Sequence, residues 1–190
     1  MRILLHICCS VCTTGPLEEL TNEGHEVTGY FYNPNIHPLI EFRRRLKSVK
    51  VLQERIPLEV IYEETYGLTY FLEETDWPSK RRCRDCYRLR LEQTAKMAAR
   101  EDADAMTTTL LTSGHQDHEL VAEIGRECAR EKNIDFLYRD WRDMAGPNHE
   151  RSEGLGLYLQ QYCGCVFSEY DRFKDTGLHL YKGSGPAAED

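Results

Sequence analysis

The chain has 190 residues, 41% of them hydrophobic, and a formal net charge of −8. That suffices for one domain with a buried core, and no apolar run approaches the roughly 18–20 residues of a membrane-crossing helix. No signal peptide is expected, so the eight cysteines are read in a cytoplasmic, reducing setting, where clusters of thiols serve metal binding or redox catalysis rather than a disulfide framework.

In chain order, residues 2–8 read as a buried strand that ends in cysteine. Thr14 followed by Pro16 reads as the capped start of a first helix that ends near Gly24. Residues 26–32 form a second strand, and Asn33-Pro34-Asn35 is a turn. From Pro38, Leu39, Phe42, Leu46, Val49 and Leu52 recur at helical spacing, with Arg43, Arg44, Arg45, Lys47 and Lys50 largely outside. Residues 58–62 are a third strand. The span 63–82 is irregular apart from a short helix around 68–74, and a long helix follows over 84–100. A fourth strand covers 103–107, a helix 118–131 and a fifth strand 134–137. Strands alternating with helices imply parallel pairing through right-handed crossovers. The expectation is a doubly wound, mostly parallel five-stranded α/β sheet over 1–138. A helical C-terminal extension over 139–182 packs on it in the same domain, and 183–190 is a frayed tail.

The charge is unevenly spread. Residues 40–50 and 80–90 hold eleven of the 24 Lys and Arg against two acids, Glu41 and Asp85, a local +9, while the rest carries −17. A basic patch on an acidic body suits a specific polyanion.

Seven cysteines fall into three groups: Cys8, Cys9 and Cys12; Cys83 and Cys86; Cys163 and Cys165. The first follows strand one, where a doubly wound sheet places its ligands. The second, Cys-x-x-Cys at a helix start among arginines, suits thiolates; it reads as half a zinc site, a thioredoxin-like dithiol or half an iron–sulfur site. The third, Cys-Gly-Cys, reads as a labile redox pair or as metal ligands. Cys128 stands alone on a helix face as a core residue. The loop from Thr107 to His118 is expected across the crevice from Cys8 and Cys9. Asn33, Asn35 and His37 line the same rim after strand two, and Asp140, Arg142 and Asp143 lie there after strand five. His115 and His118 read as proton donors or substrate ligands, or equally as capping and surface residues. No phosphate-binding glycine loop is present, which argues against nucleotide hydrolysis.

Five blocks together carry a resemblance: residues 6–12, 30–38, Arg82-Cys83-Arg84-Asp85-Cys86-Tyr87-Arg88, Thr107-Thr108-Thr109-Leu110-Leu111 and 162–168. Their order and residues resemble the cobalamin-independent epoxyqueuosine reductases, the QueH family. The sequence departs from that pattern at Ser10-Val11, where Ala-Pro is common, and at Ser113-Gly114-His115, where Ser-Pro and an aromatic are common; no sulfur is lost.

The resemblance implies a Rossmann-like fold akin to the adenine-nucleotide hydrolases. It also implies two-electron reduction of epoxyqueuosine at the tRNA wobble position to queuosine. By position, Cys8, Cys9, Cys83 and Cys86 look like the ligands of a [4Fe–4S] cluster and Cys163 with Cys165 like a redox-active pair. Cys12 is a candidate for an additional mononuclear metal or for shaping the loop. An iron Lewis acid at the epoxide oxygen and a proton from Asp85, Asp143 or His115 would complete the chemistry, with electrons from an external donor. Arg43, Arg44, Arg45, Lys47, Lys80, Arg81, Arg82, Arg84 and Arg88 are candidates for tRNA backbone contacts. Tyr30, Tyr32, Tyr87 and Trp141 are available for stacking bases, and Tyr32, Asn33, Asn35, Thr108, Thr109 and Gln116 for the substrate pocket. Two other readings of the same cysteines are a zinc-stabilised RNA-binding module without redox activity and a metal-free thiol–disulfide oxidoreductase.

Overall fold

The computed structural model describes residues 1–176 apart from Pro78 and Lys80. Lys80 and the expected tail thus lie outside the described residues. Five parallel strands, β1 (Arg2–His6), β2 (Glu26–Phe31), β3 (Glu59–Tyr62), β4 (Ala105–Thr108) and β5 (Asp135–Phe136), form one sheet in the order β3-β2-β1-β4-β5. The chain therefore reverses its direction of travel across the sheet between β1 and β4. At that switch point the loops after neighbouring strands diverge and leave a crevice.

Two helical layers cover the sheet, as right-handed crossovers require. Helices α1 (Ser10–Asn22) and α2 (Leu39–Gln53) pack together; on the other side α4 (Arg82–Arg100) packs on α5 (His118–Arg130) and against β1 and β4. Leu5, Ile7 and Phe31 meet Phe42 and Val49 of α2, while Leu4, Tyr30 and Met106 meet Tyr87, Leu91 and Ala95 of α4. The short α3 (Leu68–Glu74) precedes α4, α6 (Ala145–Gly154) packs on α1, and α7 (Val166–Phe173) is the last described helix. No described helix is long and apolar enough to cross a membrane.

Two boundaries differ from expectation in ways that matter. Strand β1 stops at His6, and α1 starts at Ser10 rather than at Thr14. The cap is Cys9, held in extended geometry with its sulfur accepting the Cys12 backbone N–H at 3.4 Å. Pro16 then sits inside the helix. Cys12 thereby joins the first turn, three residues on from the cap and on the same side. Helix α4 likewise starts at Arg82 rather than Arg84, so Cys83 and Cys86 share its first turns.

Candidate active site

The crevice beyond β1 and β4 collects sulfur. The Sγ atoms of Cys8, Cys9 and Cys12 all lie within 4.8 Å of one another, with Cys8 and Cys9 3.8 Å apart. A trio of this kind could hold a metal ion. Hydrogen bonds fix it. Thr109 Oγ1 accepts the Cys8 backbone N–H at 3.0 Å and lies 3.2 Å from Cys8 Sγ. Gln160 Nε2 lies 3.7 Å from Cys12 Sγ. Hydrogen bonds from Cys12 and Cys9 hold the Cys8 thiol well below its usual range, while burial pushes Cys9 up. One thiolate shared among three sulfurs is the expected result of packing like charges so closely.

Beneath them, His6 is fully buried. Its Nε2 lies 3.1 Å from the Tyr32 carbonyl, which can only accept, so Nε2 carries the proton and Nδ1 accepts from Thr108 Oγ1 at 2.8 Å. Burial, and then the charge of Arg90, lower the His6 pKa to about 4.

A second group gathers around α4. Burial raises the pKa of Cys83, and that of Cys86 to about 12, and the charges of Cys163 and Cys165 add to both. Arg90, one turn beyond Cys86 and 1% exposed, bonds the Cys86 carbonyl through Nε at 3.2 Å. Burial works against its charge, but Cys86, Cys163 and Cys8 together outweigh that and raise its pKa. Its Nη2 is buried with no hydrogen-bond partner among the described residues. A buried cation with an unspent donor, set among sulfurs of both groups, is what an anionic metal–thiolate group needs for compensation. The residues present therefore fit such a group.

The Cys163-Gly164-Cys165 segment is clamped. Arg45, 2% exposed, bonds the Cys163 and Tyr162 carbonyls through Nη1 and Nη2 at 3.0 and 2.8 Å. Its Nε meets Glu41 Oε1 at 2.7 Å. Gly164 has φ +132, a conformation that favours glycine, and its carbonyl accepts the His37 N–H at 2.7 Å. Tyr162 Oη donates to the His37 carbonyl at 2.6 Å. Cys165 caps α7, its sulfur accepting the Ser168 N–H at 3.4 Å. Gln116 reaches the pair from the loop after β4: Nε2 lies 3.3 Å from Cys163 Sγ while Oε1 accepts from Tyr87 Oη at 2.8 Å.

Residues 3–171 match the family described as Epoxyqueuosine reductase QueH. The chain belongs to the epoxyqueuosine reductase QueH family. A relative of that name from Dehalococcoides mccartyi is 36% identical over 172 residues, 90% of this chain and 94% of that protein. One from Thermotoga maritima is 31% identical over 187 residues, 90% of this chain and 91% of that protein. One from Helicobacter pylori is 33% identical over 180 residues, 87% of this chain but 49% of that longer protein. A solved deacetylase–bog complex from the teicoplanin pathway gives a TM-score of 0.43 at 13% identity, over 72% of this chain and 65% of that chain, too loose a likeness to carry meaning.

Set against the QueH pattern, the expected residues divide. Thr109 and Gln116 touch sulfur, whereas the Thr108 hydroxyl is spent on His6 and the Leu110 N–H. Asn33 donates to the Ile7 carbonyl at 2.8 Å, and the side-chain oxygens of Asn33 and Asn35 are buried without partners among the described residues. Tyr32 stacks on Tyr30, ring centroids 6.0 Å apart. Tyr30, Tyr87 and Trp141 are core residues, so they offer no face to a splayed base. Asp85 lies between Cys83 and Cys86 and accepts the Asp76 N–H at 2.9 Å. His115 is exposed next to Gln116. Asp143 sits on the 3₁₀ turn Arg142–Met144 with no hydrogen bond to a cysteine-bearing segment among the described residues.

The basic residues divide as well. Arg45 is not a surface contact: its place on the buried face of α2 commits it to Glu41 and the 162–163 carbonyls. Arg81, Arg82, Arg84 and Arg88 are each paired, to Asp76, Asp171, Glu123 and Glu127 at 3.0, 3.2, 2.8 and 2.5 Å. Arg43, Arg44 and Lys47 are exposed. Sequence reasoning missed Arg90 and Glu41. For Arg90 the signal was its spacing, four and seven residues after Cys86 and Cys83 on one helix face.

Proposed function

We propose that the chain reduces the epoxide of epoxyqueuosine at the wobble position of tRNA to the alkene of queuosine. Membership of the QueH family supports the reaction, and the convergence of Cys163, Gln116, Arg90 and the α4 thiols supports the site. Converting the epoxide to an alkene and water consumes two electrons and two protons. The dithiol of Cys163 and Cys165 releases two electrons and two protons as their S–S bond forms, so the balance closes. An external reductant then breaks that bond and restores both thiols. A [4Fe–4S] cluster held by Cys8, Cys9, Cys83 and Cys86 would supply one-electron transfer and a Lewis-acidic iron. The close packing of Cys12 on Cys8 and Cys9 favours a metal role for Cys12 too, at an additional mononuclear ion.

The chain's own groups do the rest. Arg90 offsets negative charge among the sulfurs. Gln116 holds Cys163, its amide oriented by the Tyr87 hydroxyl. Arg45 and His37 fix the Cys-Gly-Cys backbone so that the pair meets substrate without reordering. Asp85 or His115, which lie beside the α4 thiols and Gln116, would relay one of those two protons to the leaving oxygen; Asp143 is on another segment.

Replacing Cys163 or Cys165 by Ser tests the reservoir. The expected result is unchanged iron content with turnover lost. Full turnover with iron intact would refute it.

A further inference from the structure

The outer face of α2 has charge to spare and a cleft beside it. Arg43, Arg44 and Lys47 enter no ion pair among the described residues, unlike the four arginines of residues 81–88. Arg44, Lys47, Ser48, Val51, Gly156 and Tyr158 line a cleft of about 450 Å³. A second cleft of about 260 Å³ shares Arg44 and Tyr158 with it and continues past Ile40 to Tyr162 and Phe173. The two meet at Arg44 and Tyr158 as one groove, whose far end is lined by Glu169 and by Tyr162, the residue before Cys163.

Tyr158 is the fixed element of that groove. Its hydroxyl donates to Glu41 Oε2 at 2.6 Å, and its backbone N–H donates to Ser48 Oγ at 3.0 Å. The Arg44 guanidinium lies 5.7 Å from its ring centroid. The ring is only half-buried. A rigid aromatic beside unpaired cations is the combination that binds single-stranded nucleic acid, phosphates on the cations and a base on the ring.

We propose that this groove holds the unpaired RNA next to the modified nucleotide, with phosphates on Arg44 and Lys47 and a base against Tyr158. The proposal rests on the tRNA reading above and names where that tRNA lies. It moves the RNA contact from α4, where Glu123 and Glu127 already neutralise the arginines, to α2. An acidic peptide would use the cations but leave the aromatic wall idle. The groove also shares its wall with the redox segment: Glu41 joins Tyr158 to Arg45, and Arg45 holds the Cys163 carbonyl.

The test is fluorescence anisotropy of a labelled tRNA anticodon stem-loop on the full-length protein with its bound metal, across a salt series. Arg44→Ala with Lys47→Ala should weaken binding roughly tenfold or more near 0.1 M salt and flatten the log–log salt slope by about one per residue. Tyr158→Leu should weaken it roughly tenfold with the slope kept, while Tyr158→Phe, which loses only the hydroxyl, stays near the parent. Arg81→Ala with Arg88→Ala should leave affinity and slope alone. Both α2 cations are exposed, so that double variant carries the test even if Tyr158→Leu does not fold. Unchanged binding in the α2 variant, or a loss confined to the Arg81 and Arg88 variant, overturns the groove while the tRNA reading stands. A parent protein that binds no stem-loop at any salt overturns both.

Discussion

Replacing Arg45 is the most informative single perturbation. From sequence it is one of three consecutive arginines on a basic helix; in the structure it is 2% exposed. Arg45→Met removes the cation from a buried pair with Glu41 and strips a donor from the Tyr162 and Cys163 carbonyls. Breaking a buried pair from one side costs about 3–5 kcal/mol, because the remaining charge stays uncompensated. The lost carbonyl bonds add to that, but not independently, since one side chain makes them all. Tyr158 Oη still donates to Glu41 and softens the loss. A net value of about 4 kcal/mol follows, a large part of the 5–15 kcal/mol that is typical of a whole domain. Adding Glu41→Gln removes the orphaned charge and should recover about half of it. Urea unfolding followed by tryptophan fluorescence measures all three proteins. Amide exchange supplies the local readout: the His37 N–H, bonded to the Gly164 carbonyl, should exchange faster in Arg45→Met. A loss below about 1 kcal/mol, with RNA affinity falling as it does for Arg44→Ala, would mean that Arg45 faces solvent and phosphate, and the clamp would be refuted.

Two further outcomes follow from named contacts. Thr109→Val leaves the Cys8 N–H without its acceptor and should cost about 1–3 kcal/mol in urea unfolding; Thr109→Ser should restore it, and equal stability of Val and Ser would contradict the bond. His37 is buried and its pKa is lowered to about 4 from 6.5. The unfolded chain therefore binds the extra proton first, and stability present above pH 6.5 declines as pH falls towards 4, by at most about 3 kcal/mol. His37→Gln should show a shallower decline over that window; an identical pH profile would rule out His37 as a contributor.

Much of this was visible in the sequence, and the limits are physical. Apolar runs of strand length between amphipathic helices are local signals, so the alternation and the switch point could be read directly. The grouping of cysteines could be read too, because reactive residues follow β1, open α4 and flank Gly164. The start of α1 could not: the cap is a cysteine sulfur, outside the usual hydroxyl and carboxylamide set, and Pro16 looked like a first-turn residue. Arg45 left a trace that charge obscured. It falls between Phe42, Val49 and Leu52 at three- and four-residue steps, on the buried face, but an arginine there is legible only once Glu41 and the 162–163 carbonyls are known to meet it. The pairing of Arg84 and Arg88 with Glu123 and Glu127 joins residues 39 apart. It depends on how α4 packs on α5, which no local pattern reports.

In the proposed reaction, sulfur-bound iron and a redox-active cysteine pair reduce epoxyqueuosine in tRNA. Its most direct test is anaerobic purification with iron and sulfide analysis, followed by incubation with epoxyqueuosine-containing tRNA and a reductant and by mass analysis of the nucleosides. A brown protein containing iron and sulfide that converts epoxyqueuosine to queuosine is the expected result. A colourless protein with stoichiometric zinc, still inactive after cluster reconstitution, would contradict it.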